Sequence, residues 1–217
     1  MELRTPDTGH LRQAKYSTVY EPAEDTYLLL DALEKDRAEL QAQRPTICVE
    51  IGSGSGCVSA FLGKVLSPYA ALVLSTDINP AANAATRETV AKAPSESAFD
   101  QCRTRFVQAL DSRLRGSIDV LIFNPPYVVT PSAEVNSTIE AAAWAGGVRG
   151  REVLDLLMPQ VPALLSPGGR FYLVVIEQNK PEDIIAELAA LGLAGQRVLS
   201  RRAGIESLSI LRFVNMT

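Results

Sequence analysis

The sequence predicts an α/β protein with a doubly wound, mostly parallel sheet of seven strands, one of which is antiparallel. Three observations lead to this fold class. Apolar runs typical of strands alternate with helical segments, three alternating glycines follow the first run, and the last two runs have no helix between them. Parallel neighbours need a helical crossover to return the chain, whereas two consecutive strands can pair as a hairpin.

The first predicted element is a helix over residues 22–43. Pro22 suits the first turn of a helix, and acidic residues follow it where the helix end is positive. Leu29, Leu33 and Leu40 recur on one face, as expected for a helix that covers a core. The helix is expected to end before the next proline.

A strand, a glycine turn and a helix follow, over residues 46–51, 52–56 and 57–66. A second strand at 71–76 ends at an acidic residue, and an Asn-Pro pair opens a helix over 79–93. Because strand and helix alternate here, these segments predict neighbouring parallel strands.

The middle of the chain adds two predicted strands and a long loop. Residues 94–101 are polar and predict a loop, residues 103–108 predict the third strand, and the apolar residues 118–123 predict the fourth. An Asn-Pro-Pro-Tyr segment, 124–127, stops that strand, and residues 128–150 predict a long loop. Loops of this length in compact domains are usually functional or disordered.

The last part of the chain completes the sheet. We expect a helix over 151–165, a fifth strand over 171–177 and a helix over 181–191. Two closing strands, 198–201 and 207–214, follow without a helix between them. They can form a hairpin, which supplies the antiparallel member of the sheet.

Length and composition indicate one compact domain. The chain has 217 residues, of which 47% are hydrophobic and 21% are charged, so it can build a core. We expect residues 1–20 to form a flexible arm and residues 21–217 to form a single domain.

Charge and hydropathy disfavour two classes of partner. The net charge of −4 lacks the basic excess that supplies most non-specific affinity for nucleic acid. No apolar run reaches the roughly 18 to 20 residues that span a bilayer, and the first 20 residues contain no apolar signal segment. We therefore expect no membrane partner, and a location in the cytoplasm, with the nucleus as a second location.

Cysteine and histidine usage narrows the chemistry. Three cysteines without a Cys-x-x-Cys spacing favour neither a disulfide framework nor a zinc site, so no metal is expected in this chain. The only histidine, His10, lies in the polar N-terminal stretch, which removes the key residue of Ser-His-Asp and Cys-His catalysis. Backbone groups, carboxylates, amides and a cofactor remain.

The glycine turn indicates a ligand site. Gly52, Gly54 and Gly56 allow a sharp turn and a close ligand, and the next helix offers free N–H groups. The spacing departs from the G-x-G-x-x-G of dinucleotide sites, and Glu50 just before the glycines is unfavourable for a pyrophosphate. A neutral or cationic nucleoside therefore fits better than NAD. The alternative is a tight strand-to-helix turn that binds nothing.

Asp77 ends the second predicted strand. Its carboxylate can accept two hydrogen bonds from a ribose diol, as acidic residues at this place in nucleotide-binding folds do. The alternative is an N-cap for the helix that Asn79 and Pro80 open.

The segment Asn124, Pro125, Pro126 and Tyr127 ends the fourth strand. The prolines stiffen the chain and remove backbone donors, which leaves carbonyls and the Asn124 side-chain oxygen as acceptors beside an aromatic ring. Such a group can hold a planar –NH2. The alternative is a proline-rich strand terminator without a ligand.

These features together resemble a known family. The glycine turn, the acid after the second strand and the Asn-Pro-Pro-Tyr segment look like class I S-adenosylmethionine-dependent methyltransferases that methylate nitrogen. Four further segments are similar to the eukaryotic and archaeal release-factor glutamine methyltransferases, relatives of the bacterial HemK-type enzymes: residues 20–26, 128–131, 140–147 and 150–152. The resemblance covers about residues 20–213.

The resemblance implies S-adenosylmethionine as cofactor, with S-adenosylhomocysteine as product. Asp77 would bind the ribose, Glu50 and the glycine turn the methionine end, and Thr26 would cap the same pocket. The residues implied in cofactor binding are Thr26, Glu50, Gly52, Ser53, Gly54, Gly56, Asp77, Ile78, Ala109, Leu110, Asp111 and Asn124. The family usually has an acidic residue followed by leucine at the adenine. Here the chain reads Ala109-Leu110-Asp111, so either Asp111 substitutes or backbone alone holds the adenine amine.

The resemblance also implies a substrate and a partner. The substrate would be the glutamine amide of the Gly-Gly-Gln motif in a class I release factor, held by residues 124–127. The partner would be a small zinc-binding activator subunit, which fits a chain without a zinc motif or a separate docking domain. The alternatives are an N6-adenine DNA methyltransferase, a lysine methyltransferase acting on histones, an enzyme that methylates arsenicals, and a cofactor-binding protein without activity.

Overall fold

The computed structural model describes residues 3–204 and 206–216. Within them lie seven strands: β1 Ile47–Ile51, β2 Leu72–Asp77, β3 Ala98–Arg103, β4 Ile118–Phe123, β5 Leu165–Ile176, β6 Leu193–Ala203 and β7 Glu206–Asn215. The α-helices are α1 Glu24–Lys35, α2 Arg37–Gln43, α3 Cys57–Leu66, α4 Pro80–Ala91, α5 Asp111–Leu114, α6 Glu152–Leu157, α7 Val161–Leu164 and α8 Pro181–Ala190. Strands and helices alternate, as an α/β fold requires.

The sheet has the strand order β3-β2-β1-β4-β5-β7-β6. β1 pairs in parallel with β2, β2 with β3, and β4 with β5. β7 is antiparallel to both β5 and β6. The predicted fold class, a mostly parallel seven-stranded sheet with one antiparallel strand, is confirmed.

The chain divides into two compact units, one up to Leu110 and one from Asp111. In the first unit, β1 and α3 are part of the core, and nine of the ten α3 residues are buried. In the second unit, the consecutive β5 residues 171–175 are all fully buried. Strands buried on both faces read as continuous apolar runs, which is why the sequence located β1 and the central part of β5 correctly.

The third strand was predicted in the wrong place. β3 covers Ala98–Arg103, where the sequence predicts a loop, and the predicted strand over 103–108 is not formed. Phe106 has a φ of 48°, a left-handed conformation that a strand does not contain. β3 is the edge strand next to β2, so its sequence needs little apolar character.

Other boundaries also differ from the predictions. The helix predicted over 22–43 is two helices, because Asp36 leaves the helical conformation with a ψ of 6°. The helix predicted over 151–165 is broken into α6, a 3-10 turn and α7, since Pro159 and Pro162 lack the N–H that a continuous helix needs. β5 begins earlier and β6 is longer than predicted.

The N-terminal segment differs from the predicted flexible arm over residues 1–20. Its described residues include two 3-10 turns, Gly9–Arg12 and Ala14–Tyr16. Leu11, Tyr16 and Val19 are buried in one cluster with two alanines of α4. The segment is therefore packed against the first unit.

None of the described helices is long and apolar enough to cross a membrane.

Candidate active site

The glycine turn after β1 is attached to the end of β2. The backbone N–H groups of Gly52 and Ser53 both donate to the carbonyl of Thr76, at 2.8 and 3.1 Å. Gly52 has a φ of 68°, which glycine adopts without the strain of a side chain. The parallel pairing of β1 with β2 thus continues into the turn and fixes its position.

Asp77 accepts two backbone hydrogen bonds. The N–H of Gly54 donates to one carboxylate oxygen at 2.9 Å and the N–H of Asn79 to the other at 2.8 Å. The cap of α4 is Asn79, whose side-chain oxygen accepts from Ala81 at 2.9 Å. The capping role considered for Asp77 therefore belongs to Asn79.

Burial disfavours the charged form of two carboxyl groups near the glycine turn, those of Asp77 and Glu50. It raises the pKa of Asp77 above its ordinary value, although hydrogen bonds from backbone N–H groups act in the opposite direction. Glu50 is only 4% exposed, and burial raises its pKa to about 8, with a further contribution from Asp77. The Ser59 hydroxyl donates a short hydrogen bond to Glu50 and opposes this shift.

Gly56 lies against α4. A Cβ atom at Gly56 would lie 2.5 Å from the Cα atom of Thr86. The hydroxyl of Thr86 bonds the Ser53 hydroxyl at 2.9 Å and donates to the carbonyl of Gly54 at 3.3 Å. Sequence reasoning missed Thr86 and Ser59, because a hydroxyl on a helix carries no local signal of the turn that it supports.

Thr26 and Ile78 lie in the same unit as the glycine turn. Thr26 is buried in the first turn of α1, where its N–H donates to the Asp25 carboxylate at 2.7 Å. Its hydroxyl accepts from the N–H of Ala23 at 3.4 Å. The carbonyl of Ile78 accepts from the side chain of Arg103 at 3.1 Å.

The predicted adenine segment has local partners. The N–H of Ala109 donates to the Thr104 hydroxyl at 3.2 Å, and that of Leu110 to the carbonyl of Val107 at 2.8 Å. The carboxylate of Asp111 pairs with Arg115 at 2.9 Å.

The first unit has the features of a site for a cationic ligand at the glycine turn. A Cβ at Gly54 would meet no atom within 4 Å, so the turn is open to a ligand there. Glu50 and Asp77 are held by hydroxyl and backbone donors, and neither pairs with Lys or Arg within the described residues. Two carboxyl groups whose pKa burial raises would be favoured in their charged form by a bound cation.

The Asn124–Tyr127 segment lies in the second unit, directly after β4. Pro125 and Pro126 are buried, while Asn124 and Tyr127 are half-buried. The chain then pairs with the end of the long loop: the N–H of Val128 donates to the carbonyl of Trp144 at 3.0 Å, and its carbonyl accepts from Gly146 at 2.8 Å. The prediction of a loop over 128–150 holds, with three 3-10 turns inside it.

Asn179 is a further residue of this region that sequence reasoning missed. It is buried just after β5, and its amide group donates to the carbonyl of Tyr127 at 2.9 Å. The only sequence signal is a polar residue after an apolar strand, which is common in loops.

Among the described residues, no group of three or more His, Cys, Asp or Glu side chains is arranged to hold a metal ion.

Comparisons with known proteins show which family the chain belongs to. Residues 22–192 match the model of the methyltransferase small domain family. The chain is 52% identical to human "Methyltransferase HEMK2", over 96% of this chain and 95% of that protein. It is 39% identical to the "eRF1 methyltransferase catalytic subunit mtq2" of Schizosaccharomyces pombe, over 97% of this chain and 95% of that protein.

A solved structure shares the fold. It is the E. cuniculi Mtq2-Trm112 complex, responsible for the methylation of the eRF1 translation termination factor, and the alignment covers 91% of this chain and 99% of that chain. The TM-score is 0.67 and the sequence identity 29%. On the match over residues 22–192 and the identity to HEMK2 and mtq2, this chain belongs to the methyltransferase small domain family.

Proposed function

We propose that the chain uses S-adenosylmethionine to methylate the side-chain amide nitrogen of the glutamine in the Gly-Gly-Gln motif of a class I release factor. It would act in the cytoplasm as the catalytic subunit of a heterodimer with a small zinc-binding activator. The names of the two relatives support a methyltransferase and an eRF1 substrate, and the solved Mtq2-Trm112 complex supports the heterodimer.

The residues of the first unit would hold the cofactor. Asp77 and Ile78 would bind the ribose, and Glu50 with residues 52–56 would bind the methionine end. Thr26 would close the same pocket, and Ala109 and Leu110 would offer backbone groups to the adenine. The cofactor supplies an electrophilic methyl group on a positively charged sulfur.

The observation that carries the proposal is the acceptor character of the segment after β4. Pro125 and Pro126 offer no N–H donor and are buried, so the chain there is stiff. The oxygen of the Asn124 side chain and the carbonyl of Pro125 would accept the two hydrogens of the substrate amide, and the ring of Tyr127 would pack on its plane. This orients the nitrogen lone pair.

Positioning would supply most of the rate enhancement. An amide nitrogen is a poor nucleophile because its lone pair is delocalised, so fixed acceptors that stabilise the developing positive charge are valuable. Correct orientation alone is worth up to about 7 to 11 kcal/mol in favourable cases. The alkylated nitrogen loses its proton readily, and no histidine base is needed. This agrees with the buried position of His10 against α4, where its ring contacts the carbonyl of Ala85.

The test compares acceptors with methyl-labelled cofactor. The full chain, alone and with its activator, is incubated with release factor, release factor whose Gly-Gly-Gln glutamine is changed to alanine, duplex DNA or histone. We expect label on the unchanged release factor only. Label on DNA or histone but not on release factor would replace the proposed substrate, and no label on any acceptor despite cofactor binding would leave a binding protein without activity.

A further inference from the structure

Asn179 joins three separate backbone segments of the second unit. Its side-chain oxygen accepts from the N–H of Ile176 at 2.8 Å, which anchors it to the end of β5. Its amide nitrogen donates to the carbonyl of Tyr127 at 2.9 Å and to the carbonyl of Arg149 at 2.8 Å. A single buried side chain thus connects β5, the end of the Asn-Pro-Pro-Tyr segment and the turn at 147–150.

The turn at 147–150 packs directly on the same segment. A Cβ atom at Gly150 would overlap the carbonyl oxygen of Tyr127, and one at Gly146 would lie 2.6 Å from the carbonyl oxygen of Pro126. These glycines let two backbones approach each other without side chains between them. The carbonyl of Tyr127 is therefore fixed from two sides, by Gly150 and by Asn179.

The backbone of Arg149, in the turn at 147–150, has a conformation that its residue type disfavours. Its φ is 56°, a left-handed conformation that costs an L-residue energy, and its side chain is exposed. The hydrogen bond from Asn179 to the Arg149 carbonyl offsets that cost. Without this hydrogen bond, we expect the turn at 147–150 to move away from the Asn124–Tyr127 segment.

We propose that Asn179 is a positioning residue for methyl transfer, which fixes the Asn124–Tyr127 segment through the carbonyls of Tyr127 and Arg149. The start of that segment is held by the pairing of β4 with β5, and its end is held by Asn179. Between the two anchors lie two prolines of restricted φ. The acceptor groups of Asn124 and Pro125 are carried by a backbone that is restrained at both ends. This role rests on the proposed function of the segment.

The test uses Asn179→Asp, which keeps the acceptor for Ile176 and removes both donors. Asn215→Asp is the matched control: Asn215 is also buried, and its amide donates to the carbonyls of Leu165 and Ser166, at 3.3 and 3.2 Å, at the other end of β5. Both variants lose side-chain hydrogen bonds to backbone carbonyls: three at Asn179, counting the longer contact with the Gly150 carbonyl at 3.5 Å, and two at Asn215. A loss of stability is therefore expected in both.

The full chain with its activator is assayed on release factor. We expect Asn179→Asp to lower kcat at least about tenfold relative to Asn215→Asp, with the cofactor dissociation constant unchanged within about twofold. Equal kcat values in the two variants, or a loss of cofactor affinity that accounts for the loss of rate, would overturn the proposal. If Asn179→Asp does not fold, Asn179→Ser removes the amide donors without adding a charge and must give the same kinetic pattern.

Amide hydrogen exchange separates this proposal from the proposed function. The N–H groups of Val128 and Gly146, which bond across the junction, should exchange faster in Asn179→Asp than in Asn215→Asp. Unchanged exchange would overturn the positioning role even in an active enzyme. Faster exchange in a protein that methylates no release factor would support the anchoring while rejecting the proposed substrate.

Discussion

The carboxylate of Asp77 accepts a hydrogen bond of 2.9 Å from the backbone N–H of Gly54, which joins the end of β2 to the turn after β1. The same carboxylate holds the N–H of Asn79 at 2.8 Å. One acid thus sets both the position of the glycine turn and the start of α4. If the turn binds the cofactor, Asp77 contributes directly and through Gly54.

Asp77→Ala should raise the dissociation constant for S-adenosylmethionine at least about tenfold, because the proposed ribose acceptor and the anchor of Gly54 are both lost. Isothermal titration calorimetry measures the change. Asp7→Ala is the control, since Asp7 also accepts a backbone N–H two residues later, from Gly9 at 2.8 Å, but is exposed. An unchanged titration for Asp77→Ala would remove Asp77 from the ribose site.

Gly54→Ala and Gly56→Ala should lower the stability of the protein by different amounts. A Cβ at Gly54 enters open space, so we expect a stability loss of about 1 to 2 kcal/mol from its φ of 50° alone, with weaker cofactor binding. A Cβ at Gly56 meets the backbone of Thr86, so we expect a loss of about 3 kcal/mol or more. Urea unfolding and cofactor titration measure both effects. Equal stability losses would contradict the assignment of Gly54 to the open side of the turn.

The pH dependence of stability should depend on Glu50, whose pKa burial raises to about 8. Between its ordinary value of 4.5 and about 8, the folded protein holds a proton that the unfolded chain releases, so rising pH lowers the free energy of unfolding. Glu50→Gln removes this pH-dependent contribution to the free energy of unfolding.

The variant should therefore gain stability over the unchanged chain by about 1.4 kcal/mol per pH unit within that interval. Urea unfolding at several pH values measures the difference. Changing the exposed Glu96 to Gln is the control for the loss of a carboxylate outside the core. A constant difference between Glu50→Gln and the unchanged chain across the interval would show that Glu50 is charged throughout.

Asn124→Ala should abolish methyl transfer and leave cofactor affinity nearly unchanged, because the acceptor of the substrate amide is lost while the first unit is intact. Turnover with labelled cofactor and a binding titration measure the two quantities. Retained turnover would reject Asn124 as the acceptor, and lost cofactor binding would assign it to the cofactor instead.

The sequence predicted what depends on local pattern. β1 and β4 are short, mostly buried and mostly apolar, and β2 opens with the apolar residues 72–74. The motifs that follow these strands use glycine, aspartate and proline for reasons that neighbours in the chain reveal. The prediction of the third strand was wrong because the position of an edge strand depends on its pairing, here Leu72 with Ala98, rather than on its own apolar content. The roles of Thr86 and Asn179 come from contacts between distant segments, which no spacing rule encodes.

Because the N-terminal segment packs on α4, a chain shortened at the N-terminus would expose part of that helix. α4 presents Ala82 and Ala85 to Leu11, Tyr16 and Val19, and the Tyr16 hydroxyl also donates to Glu88 at 3.0 Å. A protein that begins at residue 21 would leave this side of α4 in water. α4 also carries Thr86, whose hydroxyl contacts Ser53 and Gly54 of the glycine turn. A truncation or a bulky fusion at the N-terminus would therefore disturb the proposed cofactor residues through α4.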